Sequence, residues 1–363
     1  MRAIGVLSLL PALGGCIAAA IPIAASSAIV GQKISGRHGD RQTTPAPVPA
    51  RPTAQTVTVD GQTVRVLTGM TQLPRPDGTI APPASGPQPA AVPETMQYLY
   101  GSGEAAALGT QAYRGLSRYL ADVVNYGRKG KARQLVLSDG ASLDAPQFDA
   151  CGAKPLAVVL DIDETALLNL GYEADAATRG GGYDADRWAR WERTGADRVA
   201  AVPGAKMALD AARDAGVTVI FNSNRLVANA GQTEIALDHA GLGPAKHGTT
   251  LWLKGDGDGG GGSGKDGRRR AIARNYCVVA LVGDQLGDFS DLFNAPALTP
   301  PARRALAVSP ALASLWGNGW FVLPNPVYGT ALKGGIDDVF PGDARWTDPG
   351  PPPAARPATG DRR

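Results

Sequence analysis

Acidic residues at close spacing are the most reactive feature of this chain. Asp161 and Asp163 stand in Leu-Ala-Val-Val-Leu-Asp-Ile-Asp-Glu-Thr, residues 156–165, directly after five apolar residues. A second acidic pair, Asp284 and Asp288, follows the apolar run 278–282, and Asn222-Ser-Asn-Arg225 follows the run 217–221. Two carboxylates about 4 Å apart repel by roughly 4 kcal/mol at an effective dielectric near 20. Four carboxylates at one rim therefore require a cation or a proton, and the crowding is expected to raise one of their pKa values, suiting Asp163 as an acid. A lone Asp-x-Asp reads equally well as a loop turn or a helix cap; the two further stretches argue against that.

The elements that must position these residues are legible as apolar runs. A continuous run of five suits a strand buried on both faces, as in a parallel α/β sheet. Three such runs, each ending in small polar or acidic residues, describe parallel strands delivering groups to one edge, where ligands of open α/β sheets bind. Helix-like segments separate them, the alternation of βαβ units. The chain is expected to turn just after Asp161 so that both carboxylates face one site. Residues 96–124 carry apolar positions at helical spacing (Leu108, Ala112, Leu116, Leu120, Val123). Pro203 is expected at the first position of a helix closed by Gly216, a further helix ends near Gly241, and 249–253 reads as a strand.

These residues carry a family resemblance. Asp-Ile-Asp-Glu-Thr, the Ser223-Asn224 pair, a lysine upstream and Gly-Asp-x-x-x-Asp resemble the four motifs of the haloacid dehalogenase (HAD) superfamily of phosphatases. More narrowly, the chain is similar to the bacterial class C acid phosphatases, lipoprotein enzymes with 5′-nucleotidase activity. The narrower match rests on Trp188 and Trp191 in Asp186-Arg-Trp-Ala-Arg-Trp, Ala201-Val-Pro-Gly-Ala, Phe221-Asn-Ser-Asn-Arg and Phe321-Val-Leu-Pro-Asn-Pro-Val-Tyr-Gly. It spans roughly residues 97–335 and implies an α/β fold, a HAD-like Rossmannoid parallel sheet flanked by helices, with a small helical cap over 172–195.

The resemblance also implies roles. Asp161 is the nucleophile that forms an aspartyl-phosphate, and Asp163 is the general acid and base. Ser223 and Lys265 hold the phosphoryl oxygens, with Asn224 and Arg225 beside them on the substrate. Asp161, the carbonyl of Asp163 and Asp284 bind Mg²⁺, with Asp288 close by. Tyr183 and Tyr328 align with aromatic positions that stack a nucleobase, against the plainer reading of two packing aromatics; Trp191 reads as packing. Lys265 opens a helix, where an anion is favoured, and lies 19 residues before Asp284. Lys254, at the end of a strand, competes with it across a glycine-rich loop.

Composition frames this reading. A net charge of +3 over 363 residues, without interleaved aromatic and basic residues, gives no nucleic-acid footprint. Met1-Arg2, an apolar stretch and Leu13-Gly-Gly-Cys16 resemble a lipoprotein signal with Cys16 as the lipidated residue, the alternative being an uncleaved membrane anchor. Either places the domain in the bacterial cell envelope, outside the cytoplasm. Residues 17–93 read as an apolar stretch followed by a proline-rich tether with a small hairpin at 56–68, 94–340 as the phosphatase domain, and 341–363 as a disordered tail. In the HAD fold the strands ending at Asp161 and Asp284 are neighbours, so Cys151 and Cys277 either form a disulfide or stay unpaired. The expected partners are a small phosphomonoester and the membrane, with a homodimer left open.

Rival motifs are weak. Arg37-His-Gly-Asp-Arg lacks the proline of a histidine phosphatase signature, and His239 and His247 offer no obvious acid partner. Gly259 to Lys265 approaches a P-loop, but Asp266 replaces the hydroxyl residue. Asp256-Gly-Asp-Gly lacks the glutamate of a calcium loop. A non-catalytic surface lipoprotein using the same fold remains the alternative function.

Overall fold

The computed structural model describes residues 53–59, 62–68, 92–127, 132–180, 182–257 and 262–350. The chain divides into two units, Met1–Pro83 and Ala84–Arg363. In the first, β1 (Thr53–Val59) pairs antiparallel with β2 (Gln62–Thr68), so the expected hairpin forms. Its Asp60-Gly61 turn, the lipobox Cys16 and the tether lie outside the described residues.

The second unit runs α1 (Gly103–Gly127), β3 (Arg133–Leu137), β4 (Phe148–Ala150), β5 (Leu156–Leu160), α2 (Leu170–Arg179), α3 (Ala185–Thr194), α4 (Ala205–Asp214), β6 (Thr218–Leu226), α5 (Ala230–His239), β7 (Leu251–Lys254), α6 (Asp266–Asn275), β8 (Cys277–Gly283), α7 (Pro300–Ala307) and β9 (Trp320–Val322). The central sheet has the order β9-β8-β5-β6-β7 and every pairing in it is parallel. The chain adds strands to one side of β5 and then crosses to the other, so the order reverses between β5 and β8. Such a switch point opens a crevice beyond the strand ends.

Alternation along the strands accounts for the two cores. On β5, Val158 and Leu160 join α1, α4 and α5, whereas Ala157 and Val159 join β3, Phe289, Phe293 and Trp320 on the opposite face. A strand buried on both faces must be apolar throughout, which is why this sheet reads as unbroken runs. A bulge between Val278 and Ala280 puts Val279 and Ala280 on the same side. Cys277, the first residue of β8, forms a disulfide with buried Cys151 (Cα–Cα 5.0 Å).

Several local expectations shift. The turn comes later than the residue after Asp161: Ile162 C=O accepts the N–H groups of Thr165, Ala166 and Leu167, and Glu164 takes φ +53°. Residues two apart on an extended strand already face the same way, so Asp161 and Asp163 need no turn between them. Pro203 precedes its helix, which begins at Ala205 after Gly204 at φ +90°. The strand expected at 249–253 starts at Leu251, because Thr249, Thr250 and Leu251 donate to Lys246 C=O in a turn. On α1, Leu108 is exposed and Tyr113 occupies the core instead. The tail expected to be disordered from 341 holds a 3-10 turn, Gly342–Ala344, while residues 351–363 lie outside the described residues. Among the described residues no helix is long and apolar enough to cross a membrane.

Candidate active site at the switch point

Five segments converge beyond the strand ends. Asp161 follows β5 directly and donates its N–H to Val282 C=O on β8 (3.0 Å), which locks the two strand ends together. Asp284 follows β8, and Asp288 lies in the 3-10 turn Leu286–Asp288. Asp161, Asp284 and Asp288 each place a carboxylate oxygen so that the three lie within 4.8 Å of one another. Asp284 is aimed by three donors: Thr165 Oγ1 (2.9 Å) to Oδ1, and Asn325 Nδ2 (2.8 Å) and Gln285 Nε2 (3.0 Å) to Oδ2. Glycine is required at 283, where a Cβ would sit 2.2 Å from Asp288 Cβ.

Of the two candidate lysines, Lys265 is the one that contacts the acids among the described residues. Its Nζ lies 2.6 Å from Asp161 Oδ1 and 2.7 Å from Asp288 Oδ1, and the residue is 5% exposed. Lys254 ends β7, and no contact places it at the three carboxylates. The anion expected at the start of α6 is Asp291: its carboxylate accepts the N–H groups of Lys265 and Asp266 (both 2.8 Å). Those backbone donors are therefore already satisfied, and the lysine acts through Nζ.

Electrostatics separate the acids. Burial first, and then the neighbouring Asp288 and Asp284, hold Asp161 well above the usual carboxylate range against the opposing pull of Lys265. Burial and Asp288 push Asp284 up to about 6. Burial alone would lower Lys265, but Asp161 and Asp288 keep it above its ordinary value. Burial and Asp163 raise Glu164 to about 8. Asp161, Asp284 and Glu164 are thus three carboxyls of the site that burial lifts. Three carboxylates with one ammonium leave two negative charges, which a divalent cation would cancel. The all-oxygen donor set suits a hard ion, so the residues fit a divalent metal.

Strand β6 supplies the opposite wall, and its alternation sorts the motif. Ser223 and Arg225 face Asp163: Ser223 Oγ donates to Oδ2 (3.3 Å), and Arg225 Nε and Nη2 donate to Oδ1 (2.9 and 2.8 Å). Asn222 and Asn224 face α6, where Arg268 Nε and Nη2 donate to their side-chain oxygens (both 2.7 Å). Arg225 and Asn224, expected on the substrate, are therefore committed to Asp163 and to Arg268. Tyr183 is 74% exposed before α3, and Tyr328 is 37% exposed with its hydroxyl on Glu164. No ring contact joins the two tyrosines among the described residues. Trp191 packs against Tyr172 as expected. His247, expected to lack an acid partner, has Asp256 within 2.9 Å of Nε2.

Sequence reasoning missed Asn169, Arg268, Asn325 and Asp291. Asn325 stood in a noted flank without a role, and Arg268 in the helix after Lys265, also without one. Asn169 had no signal except its distance of a few residues from the acidic motif.

A family model of the HAD superfamily, subfamily IIIB (acid phosphatase), matches residues 106–331. The class C acid phosphatase from Bacillus anthracis is similar in structure, at 23% identity and a TM-score of 0.51 over 66% of this chain and 85% of that one. Its tungstate-bound form gives 23% identity and a TM-score of 0.49 over the same shares. A comparison with curated protein sequences finds no match.

Proposed function

Since the chain belongs to the HAD superfamily, subfamily IIIB acid phosphatases, and is a phosphomonoester hydrolase of that family, we propose that it hydrolyses phosphomonoesters with Mg²⁺ through an aspartyl-phosphate. The observation that carries this reading is the convergence of Asp161, Asp284, Asp288 and Lys265 at the switch point. Asp161, Asp284 and Asp288 would hold the ion, which when bound neutralises charge on the carboxylates and the phosphoryl group.

The residues divide the work in two displacements. A carboxylate oxygen of Asp161 attacks phosphorus while the P–O bond to the leaving group breaks, and a proton from Asp163 goes to the departing oxygen. Water then attacks phosphorus of the acyl phosphate, Asp163 takes its proton, and inorganic phosphate leaves with Asp161 restored. Lys265 Nζ and Ser223 Oγ flank this position and bind the phosphoryl oxygens, whose charge must be matched throughout. Exposed Tyr183 and Tyr328 supply apolar faces for a nucleobase, so nucleoside 5′-monophosphates are included among the substrates. The buried Cys151–Cys277 disulfide supports an oxidising compartment, consistent with a lipid-anchored enzyme of the cell envelope. A purely binding role is not favoured, because every reactive position is present.

The test is turnover of phosphomonoesters at mildly acidic pH by wild type, by Asp161→Asn and by wild type in excess EDTA. Activity requiring both Asp161 and the metal supports the mechanism. Undiminished turnover by the variant, or in EDTA, sinks it.

A further inference from the structure

Asn169 is the most connected polar side chain near the acids, and it is fully buried. It lies at the start of α2, six residues after Asp163. Its Oδ1 accepts from Arg225 Nη2 (2.9 Å) and Trp191 Nε1 (3.4 Å). Both neighbours are donors only, so the amide cannot be turned over: Oδ1 faces them, and Nδ2 faces the carboxylates. Nδ2 then donates to Asp163 Oδ1 (3.0 Å) and to Glu164 Oε1 (3.2 Å), using both hydrogens. The backbone N–H of Asn169 donates to Glu164 Oε1 as well (3.0 Å).

The consequence falls on Asp163. Its Oδ1 accepts from Arg225 Nε, Arg225 Nη2 and Asn169 Nδ2, three donors on one oxygen. An oxygen so surrounded has no acceptor to receive a proton of its own. Among the described residues Oδ2 meets only the Ser223 hydroxyl, at 3.3 Å, which can turn to donate or to accept. Resting on the reading of Asp163 as general acid, we propose that Asn169 is a positioning residue: with Arg225 it saturates Asp163 Oδ1, so that the proton for the leaving group is carried and delivered by Oδ2. Trp191, on α3, extends this restraint to that helix, so the acid is aligned by α3 as well as by the sheet.

Leaving groups of different basicity test this. A nitrophenolate departs as a stable anion with little need of a proton, whereas an alkoxide requires one. The ratio kcat/KM reports steps up to departure of the leaving group and so isolates the acid role. Asp163→Asn, the control, is expected to lose about 10²–10⁴-fold on glycerol phosphate and far less on p-nitrophenyl phosphate. Asn169→Ala is expected to lose about 10–100-fold on glycerol phosphate and within about 3-fold on p-nitrophenyl phosphate. Inhibition by inorganic phosphate should stay within about 2-fold, because Asn169 does not touch the phosphoryl pocket. Asn169→Ser, which retains a donor for one carboxylate only, serves if alanine does not fold, and should diverge in the same direction. Equal losses on both substrates by the folded variants, or a matching loss of phosphate affinity, would overturn the positioning role. If Asp163→Asn itself shows no divergence, the general-acid reading fails instead, and the two failures are told apart.

Discussion

Asp161 and Asp163 are two residues apart, yet their surroundings are opposite in kind. Around Asp161 the neighbours are carboxylates, Asp284 and Asp288, with Lys265 as the cation in contact. Around Asp163 they are fixed donors, Arg225, Asn169 and Ser223. The first environment is incomplete without a cation; the second is complete in protein alone. Neighbouring carboxyls of one motif thereby meet different surroundings, the general way in which paired acids come to divide their roles.

The largest effect should come from breaking the first side. Asp161→Asn removes the proposed nucleophile, and kcat is expected to fall by about 10⁴-fold or more. Thermal melts sharpen this: Mg²⁺ at about 100 times its Kd should stabilise wild type by roughly 2.7 kcal/mol, and Asp284→Asn should abolish that gain.

A second break lies at the far ends of the same strands. The Cys151–Cys277 link closes a loop spanning 126 residues. Replacing both cysteines by serine should cost about 5 kcal/mol of stability by loop entropy, read from denaturant midpoints, while kcat of the folded fraction stays near wild type. A large fall in kcat would mean that the strand ends at the site depend on the link.

Lys265→Ala tests whether one ammonium serves both carboxylates and phosphate. Losing one such group is expected to cost about 10²–10³-fold in kcat/KM. Lys254→Ala, measured beside it, should remain within about 2-fold. A larger loss at Lys254 would reverse the assignment.

A further effect concerns pH. Glu164 is raised to about 8 by burial and by Asp163, from an ordinary value of 4.5. The folded protein therefore keeps a proton that the unfolded chain gives up, so this stabilisation is complete below about pH 4.5 and lost as pH rises towards 8. In EDTA, Glu164→Gln should flatten that decline, a difference of up to about 3 kcal/mol near pH 7 at 1.36 kcal/mol per pH unit. Parallel stability curves for variant and wild type would place the titration elsewhere.

The parts legible in sequence were those set by short-range pattern. Apolar runs marked β5, β6 and β8 because strands buried on both faces leave no room for polar residues. The acids after them were visible because a strand end and its next few residues travel together along the chain. The glycine-rich loop did not hide Lys265, since its distance to Asp284 is counted along one helix and one strand. What stayed hidden depended on partners far apart in the chain. Arg268 carried no role in the sequence, yet it is buried against Asn222 and Asn224. Asp291 took the helix start that sequence reserved for a ligand, and His247 found Asp256 across a turn.

By itself, then, the sequence determined which residue types stand at the ends of which strands, because hydrophobic periodicity and local spacing are properties of contiguous chain. The tertiary structure alone decided which donors meet each oxygen of Asp163 and which carboxylates share a charge. Those outcomes follow from the reversal of strand order between β5 and β8 and from side chains meeting at distances of about 3 Å, and neither is encoded by position in the chain.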